Sequence, residues 1–409
     1  MHGGTKKEFS GKIEFEDGPH IDAFGRFRIS QPYTIFDSKQ IFDNGPLFWD
    51  DAQTSGSGTS SSHSVEMASS TMSVSALTAG TRVRQTKRRF NYESGKSHQI
   101  TMSGVLGAGV SGVTKRIGYF DENNGLYFEL NGTALKVVRR TKTSGSVVNN
   151  EIAQSSWNID KLDGTGNSGI TLDITKTQIF IIDFEWLGVG RVRFGFVING
   201  IILYFHEILS SNNLTVVYMS TPNLPVRYEI SNDGSGLSSD LVHICCSVMS
   251  EGGQEERGLV LSTSNGDNVV EANVTGTIYA TIGLKLKSNK FSATIIPLFF
   301  SMIGITVNDF FEWGLYLNPT VAGTFTYSDI TNSSLQAAYG VTANTVSGGT
   351  LLNSGYSVSE AGLTNLLYNS LTLGSTIAGV SDILVLTVMP IGSSSNLDIY
   401  SSITWKELI

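Results

Sequence analysis

The stretch DFEWLGVGRVRFGFVINGIILYFHE sets Asp183, Glu185, Arg191, Arg193 and His206 at alternating positions. Alternation is the side-chain period of a β-strand, so these groups can line one face of a sheet. Two chemistries are open to such a face: a pair of carboxylates that cleaves glycosides, or a polar surface that reads a sugar. Strand pairing decides between them. Asn199-Gly200 is a two-residue hairpin signal. Closing it pairs Ile198 with Ile201, Phe196 with Leu203 and Phe194 with Phe205 as one apolar face. The other face then pairs Arg193 with His206, Gly195 with Tyr204 and Val197 with Ile202. A three-residue loop at 187–189 sets Phe184 against Val192 and Ile182 against Phe194. Asp183 thereby faces Arg193, and Glu185 faces Arg191. The expected surface is a row of Asp183, Arg193 and His206 across three strands.

An arginine opposite each carboxylate lowers its pKa and makes it a poor general acid. The row is therefore expected to set strand register first and to offer ligand-binding residues second: Asp183, Arg193, Tyr204 and His206. No catalytic residue, metal ligand or cofactor is expected. Nucleophile elbow, Walker loop, dinucleotide fingerprint and His-x-x-x-His pair are all missing from the sequence. LDGTGNSG (162–169) offers Asp163, Thr165 and Asn167, with Asp173 downstream, for calcium. It lacks the acidic twelfth ligand of an EF-hand loop and reads as a glycine-rich turn.

These residues need a β scaffold, and the whole chain supplies one. Only 16% of its 409 residues are charged, against about 25% in a typical soluble protein. With 21 Phe, 14 Tyr and 44 Gly, the composition is that of an all-β protein with many turns. The net charge of −8 argues against nucleic acid as the main partner. The run TRVRQTKRRF (81–90) points the other way, with Arg82, Arg84, Lys87, Arg88 and Arg89 available to phosphates. Cys245 and Cys246 are adjacent, which gives neither a disulfide framework nor a zinc spacing. They read as small core side chains. The first 20 residues hold no apolar core of a signal peptide. The longest apolar run, 293–307, falls short of the ~18 residues of a spanning helix and reads as a core strand. A soluble protein made in a reducing cytoplasm, with no membrane partner, is expected.

Along the chain, residues 1–64 read as an extended N-terminal arm and linker. Phe24, Phe27, Phe36, Phe42 and Trp49 serve as assembly contacts in the arm, and 53–64 has linker composition. Residues 65–255 carry dense strand signals for one β-sandwich. A polar boundary at 250–258 precedes a second sandwich, or jelly roll, over 256–409. Within the second, 333–340 and 357–371 read as short helices, the latter with a Ser357–Glu360 capping box.

Two resemblances follow from particular segments. GYFDENNGLYFELNGTALKVVRRT and IIDFEWLGVGRVRFGFVINGIILYFHE resemble the sugar-binding jelly rolls of the concanavalin and laminin-G type. AFGRFRISQPYTIFDSKQ (23–40), ESGKSHQITMSGVLG (93–107), GVTKRIGYFDENNG (112–125), 153–201 and YMSTPNLPVRYEI (218–230) resemble structural virion proteins of tailed bacteriophages. The weaker segment LGSTIAGVSDILVL (373–386) adds to the second. That likeness implies a virion component of the capsid, tail or fibre, made in the host cytoplasm. Its partners would be copies of itself, a trimer being one arrangement, and other virion proteins. A lectin-like virion protein reading a host-surface glycan is the alternative, and a sandwich glycosidase acting through Asp183 and Glu185 stands third.

Overall fold

The computed structural model describes residues 31–306, 309–359, 363–366, 372–393 and 396–408. Phe24 and Phe27 lie outside them. Among the described residues there is no α-helix, only a single 3-10 turn at Gln154–Ser156, and no helix is long and apolar enough to cross a membrane.

The first half folds from β1 (Pro32–Lys39), β2 (Trp49–Gly56), β3 (Thr59–Ser64), β4 (Ser69–Val74), β5 (Gly80–Thr86), β6 (Ser97–Val105), β7 (Val113–Phe120), β8 (Gly125–Asn131), β9 (Ala134–Thr141), β10 (Val148–Ala153), β11 (Gln178–Phe184), β12 (Val192–Ile198), β13 (Ile201–Ile208), β14 (Val226–Asn232) and β15 (Ser239–Glu251). Antiparallel pairing arranges them into two sheets. One runs β13-β12-β11-β6-β15-β4-β3, with β1 also on β15; the other runs β10-β9-β8-β7-β14-β5-β2. Alternation explains how they stack. Phe180, Ile182 and Phe184 from β11 turn inward to meet Ile117, Tyr119 and Phe128 from β7 and β8 in one apolar core. Phe128 packs edge-on to Phe180 at 4.9 Å and to Phe194 at 5.6 Å.

The second half adds β16 (Leu259–Ser264), β17 (Val270–Ala272), β18 (Tyr279–Leu286), β19 (Thr294–Gly304), β20 (Phe310–Leu317), β21 (Thr320–Val321), β22 (Ser328–Asp329), β23 (Leu335–Tyr339), β24 (Val346–Ser347), β25 (Thr350–Val358), β26 (Leu363–Leu366), β27 (Ile383–Ile391) and β28 (Leu397–Leu408). Sheets β16-β28-β19-β26 and β22-β23-β18-β27-β20-β25 enclose a separate core around Phe300, Trp313, Leu386 and Trp405. The apolar run at 293–307 holds the strand β19 (Thr294–Gly304). Pro297, which has no amide hydrogen to donate, sits at a register shift in that strand.

The all-β sandwich architecture matches the expectation, with three corrections. Residues 53–64 are not a linker: they fall in β2 and β3 of the first sandwich, and β1 pairs with β15 rather than reaching away. The segment 333–340 is not a helix but holds β23, hydrogen-bonded to β18. The segment 357–371 is not a helix where it is described: Ser357 and Val358 end β25, and 363–366 form β26. Glu360 lies outside the described residues. Both segments carry helix-favouring residues, and sheet pairing overrides that local preference.

Candidate functional site

The outer face of β11–β13 holds the expected polar row, altered at one end. Asn199 and Gly200 adopt φ of 53° and 78°, as a two-residue turn matched to strand twist requires. Pairing then runs as read: Ile198 with Ile201, Val197 with Ile202, Phe196 with Leu203, Gly195 with Tyr204, and Asp183 with Arg193. A β-bulge between Phe194 and Gly195 breaks the series, so Phe194 faces His206 and Arg193 faces Glu207. His206 is consequently turned to the core side. Its Nδ1 accepts from the Asn158 amide at 3.3 Å, and burial lowers its pKa.

The residues left on the outer face are closed upon each other. Arg193 pairs with Asp183. Tyr204 donates its hydroxyl to Asp183 Oδ2 at 2.8 Å, and the Arg193 guanidinium lies 4.0 Å from the centre of the Tyr204 ring. Burial and the Asp183 carboxylate raise the Tyr204 pKa. Glu185 lies past the end of β11, and Arg191 pairs with Glu207 at 3.6 Å rather than with Glu185.

A larger charged array, not singled out in the sequence, crosses the outer face of the other sheet. Glu229 on β14 is opposite Arg116 on β7, which is opposite Glu129 on β8, which is opposite Lys136 on β9. Arg116 bonds Glu129 at 2.7 Å and also pairs with Glu229. Arg227 closes on Glu229 at 2.6 Å, and Lys136 on Glu151 at 2.6 Å. Burial works to raise the Glu229 pKa, but Arg227 and Arg116 together hold it below the usual carboxylate range. Under this ladder Phe120 and Tyr127 pack 4.5 Å apart. Arg227 and Arg140 lie 5.2 and 5.6 Å from the Phe120 ring, and Arg140 lies 5.1 Å from Tyr127. Both rings are fully buried, so their faces are taken by guanidinium groups rather than offered to a sugar. The signal was present: the turn after Asn131 pairs Leu130 with Leu135, and that register sets Glu129 against Lys136.

A third polar group lies between the sheets. Arg84 faces inward opposite Tyr228. It donates from Nε to His243 Nδ1 at 3.1 Å, from Nη1 to Asp51 at 3.3 Å, and from Nη2 to Gln40 Oε1 at 2.8 Å. His243 is sandwiched between Trp49 (4.5 Å) and Tyr228 (4.2 Å). Arg82 joins Asp51 at 2.6 Å. Arg82 and Arg84 of the basic run 81–90 are thus engaged inside the molecule, and Arg89 pairs with Asp121 at 3.7 Å.

Of the expected arm residues, Trp49 is in the core at 2% exposure, and Phe36 packs on Phe90 at 5.1 Å. Phe42 is 86% exposed. The 162–169 loop is held by local bonds: Asp163 accepts from the Thr165 amide at 2.9 Å, and Asp160 accepts from the Leu162 and Ser168 amides. Among the described residues no group of three or more His, Cys, Asp or Glu could hold a metal. Cys246 is buried and Cys245 half-buried, both as free thiols.

No protein-family model matches the chain, and no curated protein matches it. Among solved structures it is similar to a Bacillus licheniformis beta-glucanase, at 11% identity over 55% of this chain and 99% of that one, with a TM-score of 0.33. It is also similar to a legume lectin-like domain from Entamoeba histolytica, at 9% identity over 52% and 95%, with a TM-score of 0.31. The binding domain of botulinum neurotoxin serotype G covers 90% of this chain and 81% of its own length, at 8% identity and a TM-score of 0.31. The architecture rests on the chain's own sheets, which make it an all-β protein of antiparallel sandwiches.

Proposed function

We propose that the chain is a non-enzymatic structural protein of a virion, acting through contacts between its copies and with other particle proteins. The observation that carries the assembly reading is the segment 41–48, where Ile41, Phe42, Leu47 and Phe48 are all exposed, with Tyr33 exposed nearby in the chain. Large apolar side chains concentrated in one short exposed segment mark an interaction surface. The virion context draws on the sequence resemblance over 23–230. The non-enzymatic reading is supported by the state of the best-placed acids: Asp183, Glu129 and Glu229 are each pinned by an arginine, which suits a general acid poorly.

The test is the oligomeric state of the full chain by light scattering, with Phe42→Ser and Phe48→Ser. The expected result is an oligomer that dissociates in the variants while each protomer keeps its circular dichroism and Tm. A wild-type monomer at all accessible concentrations, or an oligomer indifferent to both changes, would overturn the reading.

A further inference from the structure

The exposed apolar segment 41–48 is held in place by hydrogen bonds along its length. Gln40 O accepts from His63 Nε2 at 2.8 Å, and Gln40 Oε1 accepts from Ser70 Oγ at 3.2 Å. These bonds tie the start of the segment to the β3–β4 hairpin, whose turn carries the exposed Val65 and Met67. Further on, Asn44 O accepts from Arg84, and Asp43 Oδ1 accepts from the Gly45 amide at 2.8 Å. Gly45 O accepts from the Phe48 and Trp49 amides at 3.0 and 2.8 Å. The apolar side chains are therefore presented in a preformed arrangement, which lowers the cost of docking on them.

The charge around this surface is of one sign. Asp43 and Glu66 are exposed within the two stretches, and neither 40–48 nor 64–68 contains a lysine or arginine. Lys39, beside them, pairs with Asp37 at 2.9 Å. Laid on the same surface of a second copy about a two-fold axis, Asp43 and Glu66 would meet like charges. An anionic bilayer is repelled for the same reason. The complement is a segment of aromatic residues and arginines, types in which interfaces are enriched.

The chain carries such a segment. Residues 1–30 precede the described part. Within them FGRFRI (24–29) sets Phe24, Phe27 and Ile29 beside Arg26 and Arg28 with no acid among them. The other aromatics of that stretch stand next to acids: Phe9 follows Glu8, and Phe15 lies between Glu14 and Glu16. We infer that residues 24–29 of one copy dock on the surface formed by Ile41, Phe42, Val65 and Met67 of another. Along an extended chain Phe27 and Ile29 share one face, and Arg26 and Arg28 the other. The apolar face meets the patch, and the long arginine side chains reach Asp43 and Glu66 at its rim. Gln31 precedes Pro32, a context that biases it to extended backbone. The segment is thus led away from its own β1 towards a neighbour. This inference rests on the assembly reading and adds to it the identity of the contacting segment.

The experiment mixes two full-length variants and follows association by light scattering and native mass spectrometry. Phe24→Ser with Phe27→Ser removes the aromatic residues of the arm, and Phe42→Ser with Met67→Ser removes the surface. Each variant alone is expected to associate about tenfold or more weakly than wild type, with circular dichroism and Tm unchanged. Mixed, they are expected to form a one-to-one pair, the intact arm of the surface variant lying on the intact surface of the arm variant. Arg26→Glu with Arg28→Glu is a second arm variant and is expected to behave as the first. An arm variant that assembles as wild type does, or a mixture that yields no hetero-pair, overturns the inference. If Phe42→Ser still dissociates the oligomer in that case, the assembly reading stands without it. A wild-type monomer overturns both.

Discussion

Arg84 and His243 face each other across the interior of the first sandwich, the arginine donating from Nε to the histidine Nδ1 at 3.1 Å. A guanidinium cannot accept a hydrogen bond, so Nδ1 is the acceptor and the ring's proton is on Nε2. The contact ties the two sheets together through a cation that also holds Asp51 and Gln40. Arg84→Met leaves these groups buried without their donor, and a loss of about 3–5 kcal/mol of stability is expected in urea denaturation. His243→Leu removes the acceptor of one bond and costs less. The double variant is expected to lose less than the sum of the singles, with a coupling of about 1–3 kcal/mol. Strict additivity would show that the Arg84–His243 contact does not bind the sheets.

Acid should open the first sandwich before the second. Burial lowers the pKa of His98 to about 4. It also lowers those of His206 and His243, and the Arg84 charge depresses His243 further. Well above pH 6.5 these histidines are neutral whether the chain is folded or not. Between 6.5 and about 4 the unfolded chain takes protons that the folded chain refuses, so stability falls as pH falls through that window. His98 alone accounts for about 3 kcal/mol. The last histidine in the sequence is His243, so the second sandwich is without this liability. Thermal unfolding from pH 7 to pH 4.5 is expected to split into two transitions, the lower one moving down with pH. His98→Phe should flatten that movement. A single transition with a constant midpoint would contradict the argument.

The Arg116 ladder makes a different pH signature. Arg116→Met leaves Glu129 and Glu229 flanking an apolar side chain, and a loss of about 3 kcal/mol at pH 7 is expected. The Glu229 pKa is held down in the folded state, so its contribution is present above the unfolded value and lost as pH falls through the folded one. Removing Arg116 shrinks that contribution. The stability gap between wild type and Arg116→Met should therefore narrow below about pH 4.5. A gap that stays constant with pH would mean that the arginine acts by packing over Tyr127 rather than by charge.

How much of this was legible follows from what each residue reports in sequence. The hairpin at Asn199-Gly200 announced its register, and four of its pairs, from Ile198–Ile201 to Gly195–Tyr204, could be read because apolar and polar residues alternate there. The series failed at His206 because a bulge adds one residue without changing composition. Alternation also misjudges Arg84 and Lys115. Both turn into the sandwich, opposite Tyr228 and Ile230, and a charged residue in sequence carries no mark of inward orientation. The joint between the sandwiches was illegible for another reason. Arg89 and Ser375 are brought together only by the way two cores dock, which no local period encodes.

The 160–176 loop gives the last test, because its acids look like calcium ligands and are bonded as turn-formers. Asp160 accepts the amides of Leu162 and Ser168, each at 2.8 Å. Asp163 and Asp173 each hold the amide of the threonine two residues on, at 2.9 and 3.0 Å. Such bonds close short turns and occupy the oxygens that a cation would use. Gly166 lies against the first carboxylate: a Cβ there would stand 2.1 Å from Asp160 Oδ1. Gly166→Ala is thus expected to displace Asp160 and cost about 1–3 kcal/mol, whereas millimolar calcium should leave the wild-type Tm unchanged. A calcium-dependent rise in Tm that is abolished by Asp160→Asn would show that these oxygens are ligands and that their turn bonds give way to a metal.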